Sequence, residues 1–444
     1  MIKQLFLSLT LIYLLTGCDV LNVEPEDSIP AASAFKDKTG IERGILGSYS
    51  DFQSLSYYGR AFLVFSDLAA DNLIHPPDAT NSDFAEIDNN ALLPENSAVW
   101  NFWSAAYSGI NTANNVIVKV PEMTDMSDEE KNAALGELYF IRALNHFNLM
   151  NIFGPVPLKT KPTVGAKNLD AARNTVAEVY KQIIDDLSFA EQHLGNSSTK
   201  IRATKFAATA LLARVYLYKG DYDLAWEKAD TVIKAGGYTL LDDYSSIFSN
   251  DGSAETIFEI DFTELDRNRI AEYNFPKSLN GRREVAPAPL LISAFSADDT
   301  LRKNVTIAYD GANAYANKYN DLSKGADNVI VLRLAEMYLI RAESEVRKAS
   351  FDANAVQDDI NEIRGRAHLP PTAATSREEL LLVIENERRL EFAFEGHRWF
   401  DLVRTGRAMS VLPTVTNADK TLFPIPTQEL QTNNSPGMEQ NHGY

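Results

Sequence analysis

Between residues 205 and 234, small and apolar side chains recur at a spacing that a pair of antiparallel helices satisfies. Leu212, Ala213 and Tyr216 precede Gly220, and Tyr222, Ala225, Ala229 and Val232 follow it. Ala213 and Ala225 let two helix backbones approach, the tyrosines fill the wedge between them, and Gly220-Asp221 supplies the tight turn. A helix pair of this kind cannot bury its own outer faces, so it must stack on others. That requirement sets the architecture of the whole chain.

The spacing is that of a tetratricopeptide unit, although Thr209 stands where an aromatic is usual and the terminal proline is absent. A second unit starts at Arg333-Leu334-Ala335-Glu336-Met337-Tyr338 and returns along Ala355 to Arg364. A third runs from Ser376 to Arg404, opened by a Ser376/Glu379 capping box. Residues Glu137 to Phe153 form half of a fourth. Their helix is opened by Ser127/Glu130, carries Leu135, Leu138, Tyr139 and Arg142 at helical spacing, and is stopped by Gly154-Pro155. The pattern predicts a mainly α fold: a tetratricopeptide-like helix-pair scaffold with long irregular loops and a few short strands.

Two stretches break the pattern. Residues 73–104 carry His75-Pro76-Pro77, Asp78, Asn81, Asn89, Asn90, Pro94, Asn96, Trp100 and Trp103. Residues 250–325 mix glycine, asparagine and tyrosine with β-like pieces such as Thr256 to Phe262. Long polar, aromatic-bearing loops on a rigid scaffold are where binding concentrates.

The N-terminus reads as an export signal: Lys3, an apolar run from Leu5 to Leu15, then Leu15-Thr16-Gly17-Cys18. The run is too short to span a bilayer as a helix. Cys18 is the only cysteine, so the chain can form no internal disulfide. Leu-Thr-Gly-Cys resembles the lipobox of bacterial lipoproteins, which implies acylation of Cys18 and a lipid-held mature chain. Net charge is −19. Such a surface repels phosphate backbones, and nucleic acid is excluded as a partner.

Several segments together resemble the SusD/RagB family of Bacteroidetes surface lipoproteins. The strongest runs from Ile384 through Glu387-Arg388-Arg389-Leu390-Glu391-Phe392 and Gly396-His397-Arg398-Trp399-Phe400-Asp401-Leu402 to Arg404. Others are Leu332 to Glu343, Arg142-Ala143, Phe153-Gly154-Pro155-Val156-Pro157-Leu158, and the tail with Phe423-Pro424-Ile425-Pro426, Gln440-Asn441 and Gly443-Tyr444. Trp103, Tyr107, Ile110, Ala113 and Asn114 fit the family's N-terminal helix. The tail departs slightly: Asn434-Ser435-Pro436 stands where Asn-Pro is common, and His442 replaces a usual proline.

The resemblance implies an outer-membrane, outward-facing protein that binds an oligosaccharide, or in some relatives a peptide. It would deliver that ligand to a SusC-like TonB-dependent transporter without catalysis. The expected organisation is a signal peptide at 1–17, a tether at 18–30, an N-terminal part at 31–240 and a C-terminal part at 241–444, forming one integrated fold. The rivals are a protein-interaction scaffold and a surface glycosidase.

Glu387, Arg388, Glu391, Arg398 and Asp401 lie among Leu390, Phe392, Phe394, Trp399 and Phe400. They read as an internal network of paired charges rather than a catalytic pair. His75, His146, His193, His368, His397 and His442 form no metal-ligand spacing, and no phosphate loop or nucleophile elbow is present. No metal or cofactor is expected. Pyranose rings present apolar C–H faces that lie on aromatic rings, with amides and guanidiniums at the rim. Trp100, beside Asn96 and Asn101, is the first candidate platform. Tyr273, Arg282, Tyr309, Tyr315 and Tyr319 are further candidates, each equally able to be an aromatic half-buried without ligand. Trp103, Trp226 and Trp399 read as packing. The family's motifs carry no ligand-site residue that could be transferred here.

Overall fold

The computed structural model describes residues 34–163, 165 and 169–444. Cys18, the signal at 1–17 and the tether at 18–30 lie outside the described residues. In chain order the first half carries α1 (Lys38–Ser50), α2 (Ala61–Leu68), α3 (Ser82–Asp88), α4 (Ser97–Ile117), α5 (Asp128–Phe153), α6 (Val176–His193), α7 (Lys205–Lys219) and α8 (Tyr222–Ala235). The second half carries α9 (Ile270–Asn274), α10 (Leu334–Arg347), α11 (Ala353–Arg366), α12 (Arg377–Glu391) and α13 (Arg398–Arg404), with a few shorter turns of helix.

The long helices stack in one array: α1 on α4, α4 on α5, α5 on α6, then α7, α8, α10 and α11 in succession, with α12 against both α10 and α11. Each start is written in the sequence. Ser127 and Glu130 exchange hydrogen bonds at α5, Thr175 and Glu178 do so at α6, and Ser376 and Glu379 at α12. Gly154 ends α5 at φ 72° and Gly220 ends α7 at φ 87°, a backbone conformation that disfavours side chains. Leu212, Ala213, Ala225, Ala229 and Val232 are fully buried between α7 and α8 and their neighbours. The helix-pair scaffold is therefore the one the spacing predicts.

The third expected unit takes a different path. After α12 the chain passes through Phe394 (φ 68°) and Gly396 (φ 85°). These left-handed residues turn α13 away from α12 and onto α2, where Phe400 stacks on Phe62 with centroids 5.6 Å apart. Arg398 pairs with Asp71 at 2.7 Å, fixing that crossing. The tail closes the other side: the Asn441 amide donates to the carbonyls of Phe153 (2.9 Å) and Phe423 (2.7 Å).

Among the described residues, three two-stranded antiparallel ribbons complete the fold. They pair β1 (Leu73–Ile74) with β3 (Ala286–Pro287), β2 (Thr256–Ile260) with β6 (Val329–Arg333), and β4 (Ile307–Asp310) with β5 (Asn313–Ala316). The central ribbon delivers charge to the core. Arg333, at the end of β6, donates to Glu255 (2.8 Å), Glu391 (2.6 Å) and Glu395 (2.7 Å). Arg302 donates to Glu387 at 2.8 Å, Lys318 to Glu395 at 2.7 Å, and Arg366 pairs with Glu391. Arg388 pairs with Asp401 at 2.8 Å. All of these side chains are buried. Burial alone would raise the pKa of Glu391, but Arg366, Arg333 and Arg302 outweigh it and hold the carboxyl well below its usual range. The motif charges are thus a structural network, and it pins the loop-bearing stretch 250–333 to α11 and α12.

Two buried histidines give this core a pH dependence. Burial, reinforced by Arg142, lowers His146 to about 3, and burial pushes His397 well below its ordinary value. In the unfolded chain both take up protons near about 6.5. Protons below that pH therefore bind the unfolded state preferentially, and stability falls as pH drops from about 6.5 toward 3. Urea unfolding at pH 7.5 and pH 5 should show the loss, and it should be smaller in His146→Gln.

Candidate functional site

The two irregular stretches meet. Leu73 lies opposite Pro287 and Ile74 opposite Ala286 in the β1–β3 ribbon. The buried carboxylate of Glu284 accepts from the Thr80 backbone (2.8 Å), the Thr80 hydroxyl (2.8 Å) and the Asn81 backbone (2.9 Å). Burial would raise its pKa, but these hydrogen bonds prevail and lower it, so it stays ionised. Lys277 donates to the carbonyl of Asp78 at 2.8 Å, and Arg283 pairs with the Asp78 carboxylate. Asn81 also caps α3, whose Phe84 ring lies 6.0 Å from the ring of Tyr273.

Tyr273, on α9, is the centre of this junction. The Arg60 guanidinium lies 4.1 Å from its ring centroid and that of Arg282 lies 4.8 Å away. Arg60 immediately precedes α2, and the carbonyl of Gly59 accepts from the Arg269 backbone at 2.9 Å, holding the two segments together. Tyr273 itself is 7 % exposed, so it seats the guanidiniums rather than offering an open ring. Two residues on, Phe275 packs on Tyr315 with centroids 4.5 Å apart. Tyr315 is half-buried on β5, and Tyr309 on the partner strand is half-exposed. Ser278 hydrogen-bonds Asp310, tying this hairpin to the 277–284 turn.

The α4 candidates occupy the neighbouring position. Asn96 is buried: its carbonyl oxygen caps α4 through Val99 N (3.1 Å), and its amide donates to Glu86 (2.8 Å) and the Asp83 carbonyl (3.1 Å). Both ends of that amide are engaged, so Asn96 holds α3 and α4 together rather than facing a ligand. Trp100 is half-buried on the first turn of α4 and Asn101 is exposed. Trp103 is buried and its indole donates to Glu429 at 3.2 Å, while Trp399 is buried. Trp226 is half-buried beneath Lys348. Tyr319 is buried, its hydroxyl accepting from Ile330 N at 3.3 Å, which removes it from the surface. The structure thus gathers Tyr273, Arg282 and Tyr315, with Tyr309 on the same hairpin, and sets Trp100 and Asn101 one short helix away. Arg60 and Arg269 were not legible as partners, because Arg60 borders the apolar run of α2 and reads as the edge of the core.

The exposed side chains of this face are Tyr309, Arg282 and Asn101. A cleft of about 890 Å³ lies elsewhere, lined by Tyr238, Asp242, Tyr338, Asn361, Glu362 and His368 among others. Among the described residues no three His, Cys, Asp or Glu side chains are grouped to hold a metal ion. The carboxylates of the Glu387–Asp401 segment are engaged with buried cations.

A stacked helix-pair scaffold presenting two joined, aromatic and polar loops is the architecture of a binding protein. Comparison with known proteins gives the lineage. Residues 21–217 match a SusD-like family model described as starch-binding and associating with the outer membrane, and residues 299–444 match the SusD family model. SusD-like protein P2 of Formosa agariphila is 28% identical over 501 residues, covering 98% of each chain. The starch-binding protein SusD of Bacteroides thetaiotaomicron is 25% identical over 425 residues, covering 72% of this chain and 74% of that one. The solved structure of a laminarin-binding SusD-like protein superposes with a TM-score of 0.82 at 27% identity, covering 92% of this chain and all of the other. The chain belongs to the SusD/RagB family.

Proposed function

We propose that this chain is a lipid-anchored receptor on the cell surface that captures an oligosaccharide and passes it to a SusC-like TonB-dependent transporter. In this reading residues 1–17 are removed, Cys18 carries the lipid, 18–30 is the tether, and 31–240 and 241–444 form one body. The observation that carries it is the junction of residues 73–104 with 250–325 into one aromatic and guanidinium-bearing face. That face stands on a scaffold held rigid by buried charge pairs. The related proteins named as starch-binding and laminarin-binding support a glycan as the ligand.

Trp100→Ala should weaken glycan binding by about tenfold, the effect of losing about 1.4 kcal/mol of ring contact, and leave the circular dichroism melt unchanged. Calorimetry with a bound glycan checks this, and unchanged affinity removes Trp100 from the site. A peptide ligand is the second reading, and an immobilised peptide pool retained in place of glycans would favour it. New reducing ends after incubation with glycans would instead favour a glycosidase.

A further inference from the structure

Arginines gather around Tyr273 on a chain whose net charge is −19. Arg60, Arg269 and Arg282 surround it, and none is well neutralised. Arg282 and Arg269 meet Glu284 and Glu272 only at 3.5 Å, and their side chains are 46% and 41% exposed. Glu284 is already occupied by Thr80 and Asn81. Among the described residues no carboxylate lies within ion-pair distance of Arg60, and its buried Nε has no hydrogen-bond partner. Burial lowers the pKa of Arg60, Tyr273 opposes that, and Arg269 and Arg282 add to the lowering.

Four other guanidiniums of this protein are closed by two-pronged carboxylate pairs: Arg142 on Asp186, Arg214 on Glu336, Arg341 on Asp359 and Arg404 on Glu343. Leaving a half-buried guanidinium open beside two others is unfavourable unless an anion completes it. A guanidinium fork matches the oxygens of a carboxylate or a sulfate. The overall negative field repels anions, so this face is where an anionic ligand can land.

Resting on the glycan-receptor reading, we propose that the oligosaccharide taken by this face is anionic, its carboxylate or sulfate groups seated on Arg60 and Arg282 beside the tyrosines of the β4–β5 hairpin. Neutral sugars would use the same donors only through hydroxyls and would lack the charge term.

The test is affinity electrophoresis of the soluble chain, beginning after Cys18, through native gels. The gels contain polygalacturonate, a sulfated galactan, starch or laminarin, with carboxyl-reduced polygalacturonate and desulfated galactan as matched neutral polymers. The expected result is retardation by an acidic polymer, lost in its neutralised form and at about 0.5 M salt, where screening is short-ranged. Arg282→Gln, at an exposed position, and Arg60→Gln should each weaken that retention by about tenfold with unchanged melting. Retention by starch or laminarin but not by the acidic polymers overturns the proposal and leaves the receptor reading standing. So does acidic retention that neither variant weakens. Retention by no glycan overturns the receptor reading, and this proposal with it.

Discussion

Arg333→Ala lowers the unfolding free energy by about 3–5 kcal/mol, the cost of leaving buried partners unpaired. Three carboxylates lose a cation at once: Glu255, Glu391 and Glu395, all buried, each within 2.8 Å of the guanidinium. Arg366 and Lys318 remain, and Lys318 itself donates to the Glu391 carbonyl at 2.7 Å, but the three carboxylate contacts of the Arg333 guanidinium and its own bond to that carbonyl (2.8 Å) are all lost. Urea unfolding of the soluble chain, followed by circular dichroism, measures the change. A loss under about 1 kcal/mol, the range of solvated surface pairs, would show that the network does not hold the core. Because Arg333 ends the ribbon that anchors residues 250–333, the variant should also lose glycan affinity under conditions where it is still folded.

Under the receptor reading, a chain without Cys18 is expected to leave the membrane. A form beginning at Asp19 behind an ordinary cleavable signal is expected in the soluble fraction, while the full chain is expected in the outer-membrane fraction. Each buried methylene contributes about 0.8 kcal/mol, so two or three acyl chains hold firmly where none leaves no anchor. Among the described residues no helix is long and apolar enough to cross a membrane. Mass spectrometry of the mature N-terminus gives the direct reading: an acylated Cys18 is predicted, and an unmodified cysteine or a cut elsewhere contradicts it.

The scaffold was legible because its causes are local. Capping boxes at Ser127 and Ser376, the turn glycine Gly220 and the small residues Ala213 and Ala225 act over one or two helical turns, and the structure shows each in that role. The charges of the Glu387–Asp401 segment were legible as a network, since apolar neighbours on every side leave only burial. Their partners were not. Arg302, Lys318 and Glu255 come from distant segments that only the fold brings together. The path of α13 was missed for a related reason: Phe394 in a left-handed conformation is imposed by packing, not by its own preference.

The candidate site was legible only in part. Aromatic and polar composition located both loops, and Tyr273, Arg282 and Tyr315 do lie together. Composition could not separate half-exposed side chains from buried ones, so Asn96 and Tyr319 drew attention although both are buried and engaged. Arg60 escaped because its meaning depends on what is absent, a carboxylate partner, and sequence spacing does not record that.

In the receptor reading the joined loops hold a glycan and leave it uncut. Equilibrium dialysis of the soluble chain against a panel of fluorescent acidic and neutral oligosaccharides, with the recovered sugars sized afterwards, tests both halves. Retention of at least one oligosaccharide, recovered at its original length and lost in Arg282→Gln, is the predicted result. Retention of none, or recovery of shortened chains, would contradict it.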